Sequence, residues 1–331
     1  MGISCFLYPG RMRQYGTIRG GALEESPRMP ILGKSVDVLC VGHACFDLTF
    51  AVPDQPGPDE KTIAETLVSG GGGPAANAAV TVARLGLRAA FAGYLGNDPW
   101  GEQHFQEFQA EGVNTDFIVR GPAPTPLSAI LVKPDSRRTV INYHGGTGYL
   151  AKDCLDFSGL HPGVILFDGH QPWLSLALAE GARRSGIPTI LDAGSVHAGT
   201  RSLAERVDIL ACSEKFAREY TRQADAGQAA VRLNDLAAAV IITLGRDGLV
   251  WSRAGTVRRL PAFEVEAVDS TGAGDVFHGA LAVGLAEGQP WEHTLRFASA
   301  AAGLSCTRPG ARSAIPTRAE VLDFLNSRAP D

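Results

Sequence analysis

Short apolar runs alternate with helical stretches along most of this chain. Val36–Val41 is an apolar run closed by Gly42, the pattern of a strand buried in a parallel sheet. Ala75–Leu85 has helical periodicity and stops at Gly86, a natural C-terminal cap. Ala89–Tyr94 predicts the next strand. Further apolar runs follow at Val164–Phe167, Thr189–Leu191, Ile209–Cys212 and Val240–Leu244. Helical stretches such as Leu174–Arg184 and Glu214–Thr221 separate them. Strands alternating with helices predict a three-layer α/β/α fold, with a mainly parallel sheet covered on both faces.

Two regions break this rhythm. Asp47–Val68 reads as extended segments around Pro53, Pro56 and Pro58. Leu127–Tyr143 reads as two strands joined by a turn at Pro134, Asp135 and Ser136. With no helix inside either, residues 47–68 and 127–143 predict a small β-flap lid over one end of the sheet. Residues 1–35 lack periodicity and read as a disordered extension, with Met29 as an alternative start. Residues 36–331 then form one domain without internal repeats.

Composition narrows the class. There are 39 glycines in 331 residues, against a usual share of about 7%. They follow no three-residue period, which excludes a collagen-like chain. The net charge is −5, and without a basic stripe neither nucleic acid nor an anionic membrane is an expected partner. No apolar run reaches the ~20 residues of a membrane helix. The six cysteines form no CxxC pair, the pattern of reduced thiols in a cytoplasmic protein.

The glycines concentrate at strand-to-helix junctions. Gly70–Gly73 leads through Pro74 into a helix carrying Asn77 in its first turn. Thr243, Gly245 and Gly248 follow a strand end and read as a hairpin-like turn. Asp269-Ser270-Thr271-Gly272-Ala273-Gly274-Asp275 precedes an amphipathic helix over His278–Glu287. A helix opening on glycines presents bare N–H groups, a ready site for phosphate oxygens. A carboxylate beside such a site can take a hydroxyl proton while the N–H groups hold phosphoryl charge. Ordinary turn chemistry and dipole pairing are the plainer readings of the same residues. Other phosphate motifs fail. Gly33-Lys34-Ser35 lacks the P-loop glycine at Arg28, and Phe277 breaks the dinucleotide fingerprint.

Taken together, these clusters resemble the ribokinase-like carbohydrate kinases of the PfkB family. One signature runs from Gly72, Gly73 and Asn77 through Gly86, Gly96, Asp98 and Gly101. The other, about two hundred residues later, is Asp269 to Phe277. The resemblance covers Val36 to Pro316 and implies an ATP-dependent sugar kinase. It implies Asp275 as the base, with the N–H groups of Gly272, Ala273 and Gly274 on the moving phosphoryl group. Asp47, Gly72, Gly73 and Asn77 would hold sugar hydroxyls. Thr243, Gly245, Gly248 and Thr271 would line the nucleotide, with Ala302 and Cys306 near the adenine. Mg²⁺ would bridge phosphates through water, and Asp269, Thr271 and Gly310 would hold K⁺.

The family's Asn-x-x-Glu motif is replaced by Ser213-Glu214-Lys215-Phe216. That leaves Ser213 at the nucleotide and Glu214 acting on the metal through water. The same Ser-Glu pair occurs in 6-deoxy-6-sulfofructose kinases, the subfamily this chain resembles most. Lys61 and Asn142 fall at their substrate-facing positions, but His170 stands where their sulfonate-binding Arg is expected. A planar guanidinium grips an oxyanion in a way that imidazole does not. The resemblance therefore leaves open a fructokinase or ribokinase type, a nucleoside kinase, and a non-catalytic sensor. Exposed flap edges predict a homodimer through the flap.

Overall fold

The computed structural model describes residues 36–134 and 137–328. The expected N-terminal extension and the tip of the 134–136 turn lie outside these residues. In chain order the elements are β1 (Val38–Val41), β2 (Cys45–Ala51), β3 (Thr66–Gly72), α1 (Pro74–Arg84), β4 (Ala89–Gly96) and α2 (Pro99–Ala110). Next come β5 (Ile118–Gly121), β6 (Leu127–Val132), β7 (Arg138–Tyr143), β8 (Val164–Phe167), α3 (Pro172–Ser185), β9 (Thr189–Ala193) and α4 (Ala198–Ala204). They are followed by β10 (Ile209–Ser213), α5 (Glu214–Thr221), α6 (Ala226–Leu233), β11 (Ala239–Thr243), β12 (Leu249–Arg253) and β13 (Thr256–Leu260). Helices α7 (Ala273–Ala286), α8 (Trp291–Ser305) and α9 (Arg318–Asn326) close the chain.

Nine strands form the main sheet in the order β13-β12-β11-β10-β9-β8-β1-β4-β5. Pairings from β5 to β11 are parallel, while β12 and β13 add antiparallel edges. Alternation along the strands sorts the core into two layers. Val38, Cys40, Phe91, Leu166 and Ile241 face one way, against residues of α1, α7, α8 and α9. Leu39, Val41, Phe167, Leu210 and Ile242 face the other, against α3, α4, α5 and α6. Burial on both sides explains why these strands read as continuous apolar runs rather than alternating ones.

The flap is a second sheet of four strands, ordered β3-β2-β6-β7. β2 pairs antiparallel with β3 and parallel with β6, and β6 pairs antiparallel with β7. Strand β3 runs to Gly72, so Gly70–Gly72 belong to the flap rather than to a loose loop. The reason is register: Cys45, Phe46 and Asp47 pair with Gly72, Gly71 and Gly70. Asp98 fixes the flap to the main sheet. It caps α2 through the Gly101 N–H at 2.8 Å and accepts from Thr125 N at 2.6 Å.

Among the described residues, no helix is long and apolar enough to cross a membrane, and the five cysteines are free thiols. Chain order reverses around β1, with β4 on one side and β8 on the other. Open α/β sheets bind ligands in the crevice at the carboxyl ends of strands flanking such a switch point. The loops that leave β1, β8 and β9 carry the polar residues described next.

Candidate active site

Asp168, just past β8, ties these loops together. Its carboxylate accepts backbone N–H groups from His43 at 2.7 Å, His170 at 2.8 Å and Ala75 at 3.2 Å. One side chain thus fixes the β1 exit, the β8 exit and the start of α1. Asp192, within β9, is buried like Asp168. A cavity of about 170 Å³ opens between Asp168, Asp192 and Asp275, walled further by Pro74, His170, Gly194, Ser195 and His197. No lysine or arginine lines it.

Asp275 stands in the first turn of α7, whose N-cap is Gly272 with φ 76°. A left-handed N-cap without a side chain leaves this entrance without a side-chain cap, although the Ala273 N–H reaches back to the Ser270 carbonyl at 3.3 Å. A Cβ added at Gly274 would meet nothing within 4 Å. Burial pushes the Asp275 carboxyl up to about 7, helped by the charges of Asp192 and Asp168. The Asn77 amide, donating to Asp275 at 2.8 Å, and nearby His278 oppose this.

Asn77 is held from behind. Its side-chain oxygen accepts from Arg312 Nη2 at 3.3 Å. Arg312 is 8% exposed and also pairs with Glu107 at 3.0 Å and lies 2.9 Å from His104 Nε2. Glu107 in turn accepts the Gly71 N–H at 2.7 Å. Glycines make this convergence possible. A Cβ on Gly72 would lie 2.1 Å from Asp47 Oδ2, and one on Gly73 would lie 2.5 Å from the His43 carbonyl. Asp47, Gly72, Gly73, Asn77 and Asp275 therefore form one connected group. Burial raises the Asp47 carboxyl, which accepts from the Cys45 thiol at 3.2 Å.

The other anticipated residues fall into three places. Ser213 and Thr243 are register partners at the ends of β10 and β11. Ser213 caps α5 through the Phe216 N–H at 3.0 Å, and Glu214 is exposed beside it. Gly245 and Gly248 bracket the 3₁₀ turn into β12, where a Cβ on Gly248 would strike the Leu260 carbonyl at 2.1 Å. Ala302 and Cys306 lie late in α8 and at its cap, where the Cys306 carbonyl accepts Val268 N at 2.7 Å. The Asp269 carboxylate collects Thr271 N at 2.9 Å, Thr271 Oγ1 at 2.7 Å and Gly310 N at 2.9 Å. Burial pushes that carboxyl up, and these hydrogen bonds outweigh it, leaving it below the ordinary value.

His170 is on the cavity wall, close to two other histidines. Its ring lies 4.9 Å from His197, stacked, and 5.1 Å from His43. Burial holds His43 down at about 3 and His197 at about 4, so both rings are neutral at pH 7. Lys61 and Asn142 are exposed on the flap and do not line the cavity. The flap does reach the α7 entrance by another route. Arg138 of β7 donates to Thr271 Oγ1 at 2.9 Å.

The sequence profile of the pfkB family of carbohydrate kinases matches residues 36–318. The chain belongs to this family. Its members transfer a phosphoryl group to a sugar hydroxyl, and the chain is such a phosphotransferase. It is 31% identical to the ribokinase of Haemophilus influenzae over 303 residues, 88% of this chain and 98% of that protein. Among solved structures, Thermotoga maritima ribokinase superposes with a TM-score of 0.79 at 30% identity, covering 88% of this chain and 99% of that one. Arabidopsis thaliana ribokinase, complexed with ribose and ATP, gives 0.76 at 27% identity, with 88% and 99% covered.

Several residues of this pfkB kinase site escape sequence reasoning. Asp168 and Asp192 follow the buried runs Val164–Phe167 and Thr189–Leu191, and a carboxylate at the carboxyl end of a parallel strand is a usable signal. His278 interrupts an apolar helix, which is a second such signal. Arg312 and Arg138 gave none, because only tertiary contact brings them to the site.

Proposed function

We propose that this pfkB kinase transfers the γ-phosphoryl group of ATP to the primary hydroxyl of an uncharged pentose or ketose. The observation that carries this is the cavity wall. Three carboxylates and two imidazoles surround it, with no cationic side chain. Such groups match the hydroxyls of a neutral polyol, and carboxylates repel an anion. The Arabidopsis relative's complex with ribose and ATP supports the same reading. A 6-deoxy-6-sulfofructose acceptor would bring its sulfonate to a wall without a partner for it, so the sulfonate expectation gives way.

In the proposed step Asp275 accepts the proton of the attacking hydroxyl. The new bond joins that oxygen to the γ-phosphorus. The bond to the β-phosphate bridge oxygen breaks, and its electron pair leaves with ADP. The first-turn N–H groups of Gly272, Ala273 and Gly274 hold the developing phosphoryl charge. Asn77 orients Asp275, and Asp47 with Gly72 and Gly73 holds the far hydroxyls. Ser213, Thr243, Gly245, Gly248, Ala302 and Cys306 frame the nucleotide.

Among the described residues no three His, Cys, Asp or Glu side chains stand together as a metal cage. That fits Mg²⁺ carried on nucleotide phosphates and water, with Glu214 as a single outer oxygen. Mg²⁺ bound there would neutralise phosphate charge. Asp269, Thr271 and Gly310 would be the residues about a K⁺; here Thr271 and Gly310 donate to the Asp269 carboxylate, and the Arg138 guanidinium is the cation beside them.

The flap acts as a lid, excluding water as Arg138 grips the α7 entrance. Its outer residues Leu67, Val68, Ile141 and Tyr143 are all more than half exposed. A second copy would cover them, giving a homodimer through the flap.

The test is a panel of ribose, fructose, fructose phosphates, sulfofructose and adenosine with ATP and Mg²⁺. Neutral sugars should give the highest kcat/KM. Preference for sulfofructose or adenosine rejects the substrate reading, and no turnover on any rejects the kinase reading of this site.

A further inference from the structure

Helix α7 carries a second titratable side chain that the proposed step leaves unused. His278 lies three residues beyond Asp275, so the two share a helix face. It is 4% exposed. Its Nδ1 lies 2.9 Å from Asp192 Oδ2. Neither ring nitrogen has a hydrogen bond of good geometry among the described residues. Its immediate surroundings include the Phe277 ring, edge-on at 5.6 Å.

A buried imidazole whose close polar neighbour is the Asp192 carboxylate is costly in a helix of Val, Phe, Ala and Leu. An apolar side chain would pack there at no such cost. What compensates is charge. Asp192 approaches from β9 and Asp275 from the same helix, and both carboxylates also face the cavity. Three buried carboxylates around one small space, Asp168 included, destabilise one another unless a cation stands among them.

The other groups around Asp275 do not supply it. On the cavity wall, burial raises the Asp168 carboxyl and the charge of His170 opposes this, while His197 is neutral; of the imidazoles only His278 acts on Asp275. Asp168 comes from β8, and Asn77, from α1, is neutral. Arg312 is bound to Glu107, His104 and Asn77 and makes no contact with Asp275. Cys212, from β10, is kept as a neutral thiol by burial and by the charge of Asp192.

We propose that His278 is a positioning residue that acts by charge. As a buried imidazolium it offsets Asp192 and Asp275 and sets the pH at which Asp275 becomes available as base. The proposal rests on the reading of Asp275 as that base. Burial pushes the imidazole towards its neutral form, and the charge and hydrogen bond of Asp192, with the charge of Asp275, more than reverse this. Reciprocally, the imidazolium pulls the Asp275 carboxyl down against burial.

The sign follows. Removing the cation makes Asp275 harder to ionise. The acid limb of the kcat/KM profile of His278→Gln should therefore move up by about one pH unit. At pH 7 that is about a fivefold loss, approaching about tenfold at lower pH, and it is recovered at higher pH. A merely structural role would lower activity at every pH and leave the limb in place, and that result would overturn the proposal.

Should the variant fail to fold, ¹⁵N NMR of the unaltered protein decides. His278 should be protonated at neutral pH, and Asp275→Asn should lower its titration. A His278 that is neutral at pH 7, or unmoved by Asp275→Asn, rejects the idea. The two readings fail separately. If Asp275→Asn keeps full turnover, the base assignment falls. If it abolishes turnover while His278→Gln leaves the limb unmoved, only the role of His278 falls.

Discussion

Two helix entrances in this protein open on glycines, and they use them in opposite ways. At α1 the last three glycines, Gly71 to Gly73, are pressed by neighbours. A methyl group on Gly71 would lie 2.0 Å from Arg312 Nη1, and Gly72 and Gly73 are as tightly enclosed. At α7 a methyl group on Gly274 would meet open space, and one on Gly272 only Ala311 at 3.0 Å. The first entrance is a joint, in which backbone gives way to side chains arriving from elsewhere in the chain. The second is open in space, and the proposed reaction uses it as the landing place of the phosphoryl group. Glycine content alone does not distinguish a fold's need for close packing from a reaction's need for access.

The largest expected effect separates chemistry from binding at the open entrance. Asp275→Asn should cut kcat by about 10²–10⁴ while ATP affinity, read by calorimetry, stays near the parent value. Near-normal turnover would remove Asp275 from the mechanism.

Gly72→Ala and Gly274→Ala set the two entrances directly against each other. Gly72→Ala must displace Asp47, and should lower both melting temperature and sugar affinity, costing about 1–3 kcal/mol of stability. Gly274→Ala should keep or raise the melting temperature, since Ala favours a helix over Gly by about 1 kcal/mol. Its turnover should nonetheless fall, because the methyl group stands where phosphoryl oxygens approach. Equal melting temperatures for the two variants would dissolve the distinction.

The pH profile sharpens the picture of the open side. With Asp275 raised to about 7, the base is protonated below that pH. Activity should fall about tenfold per unit as the pH drops further, and a flat profile from pH 5 to 8 would contradict this. The smallest effect is expected at the cavity wall. His170→Arg should raise the relative kcat/KM of anionic over neutral sugars several-fold by adding the missing cation. An unchanged ratio removes His170 from substrate contact.

The sheet was legible because its strands are buried on both faces and read as unbroken apolar runs. The flap was legible only in outline. Its strand β3 continues into Gly70–Gly72, where register with β2 overrides the poor strand propensity of glycine. At the site, Asp275 and Asn77 were reachable from local sequence, because each sits beside a glycine junction, whereas Asp47 came only from the family resemblance and meets the glycines through strand register. Arg312 was not, since its meaning comes from Glu107, His104 and Asn77, all more than two hundred residues earlier. The neutrality of His43 and His197 was equally hidden, because burial rather than residue type decides it.

The contact between Arg312 and Asn77 also bears on how the protein is made. Asn77 is among the earliest parts of the domain to leave the ribosome, and Arg312 is among the last. Until the final turns are synthesised, the amide that orients Asp275 lacks its anchor, and the glycines packed around Arg312 enclose nothing. Competence for phosphoryl transfer should therefore arrive only once Arg312 has been made and packed.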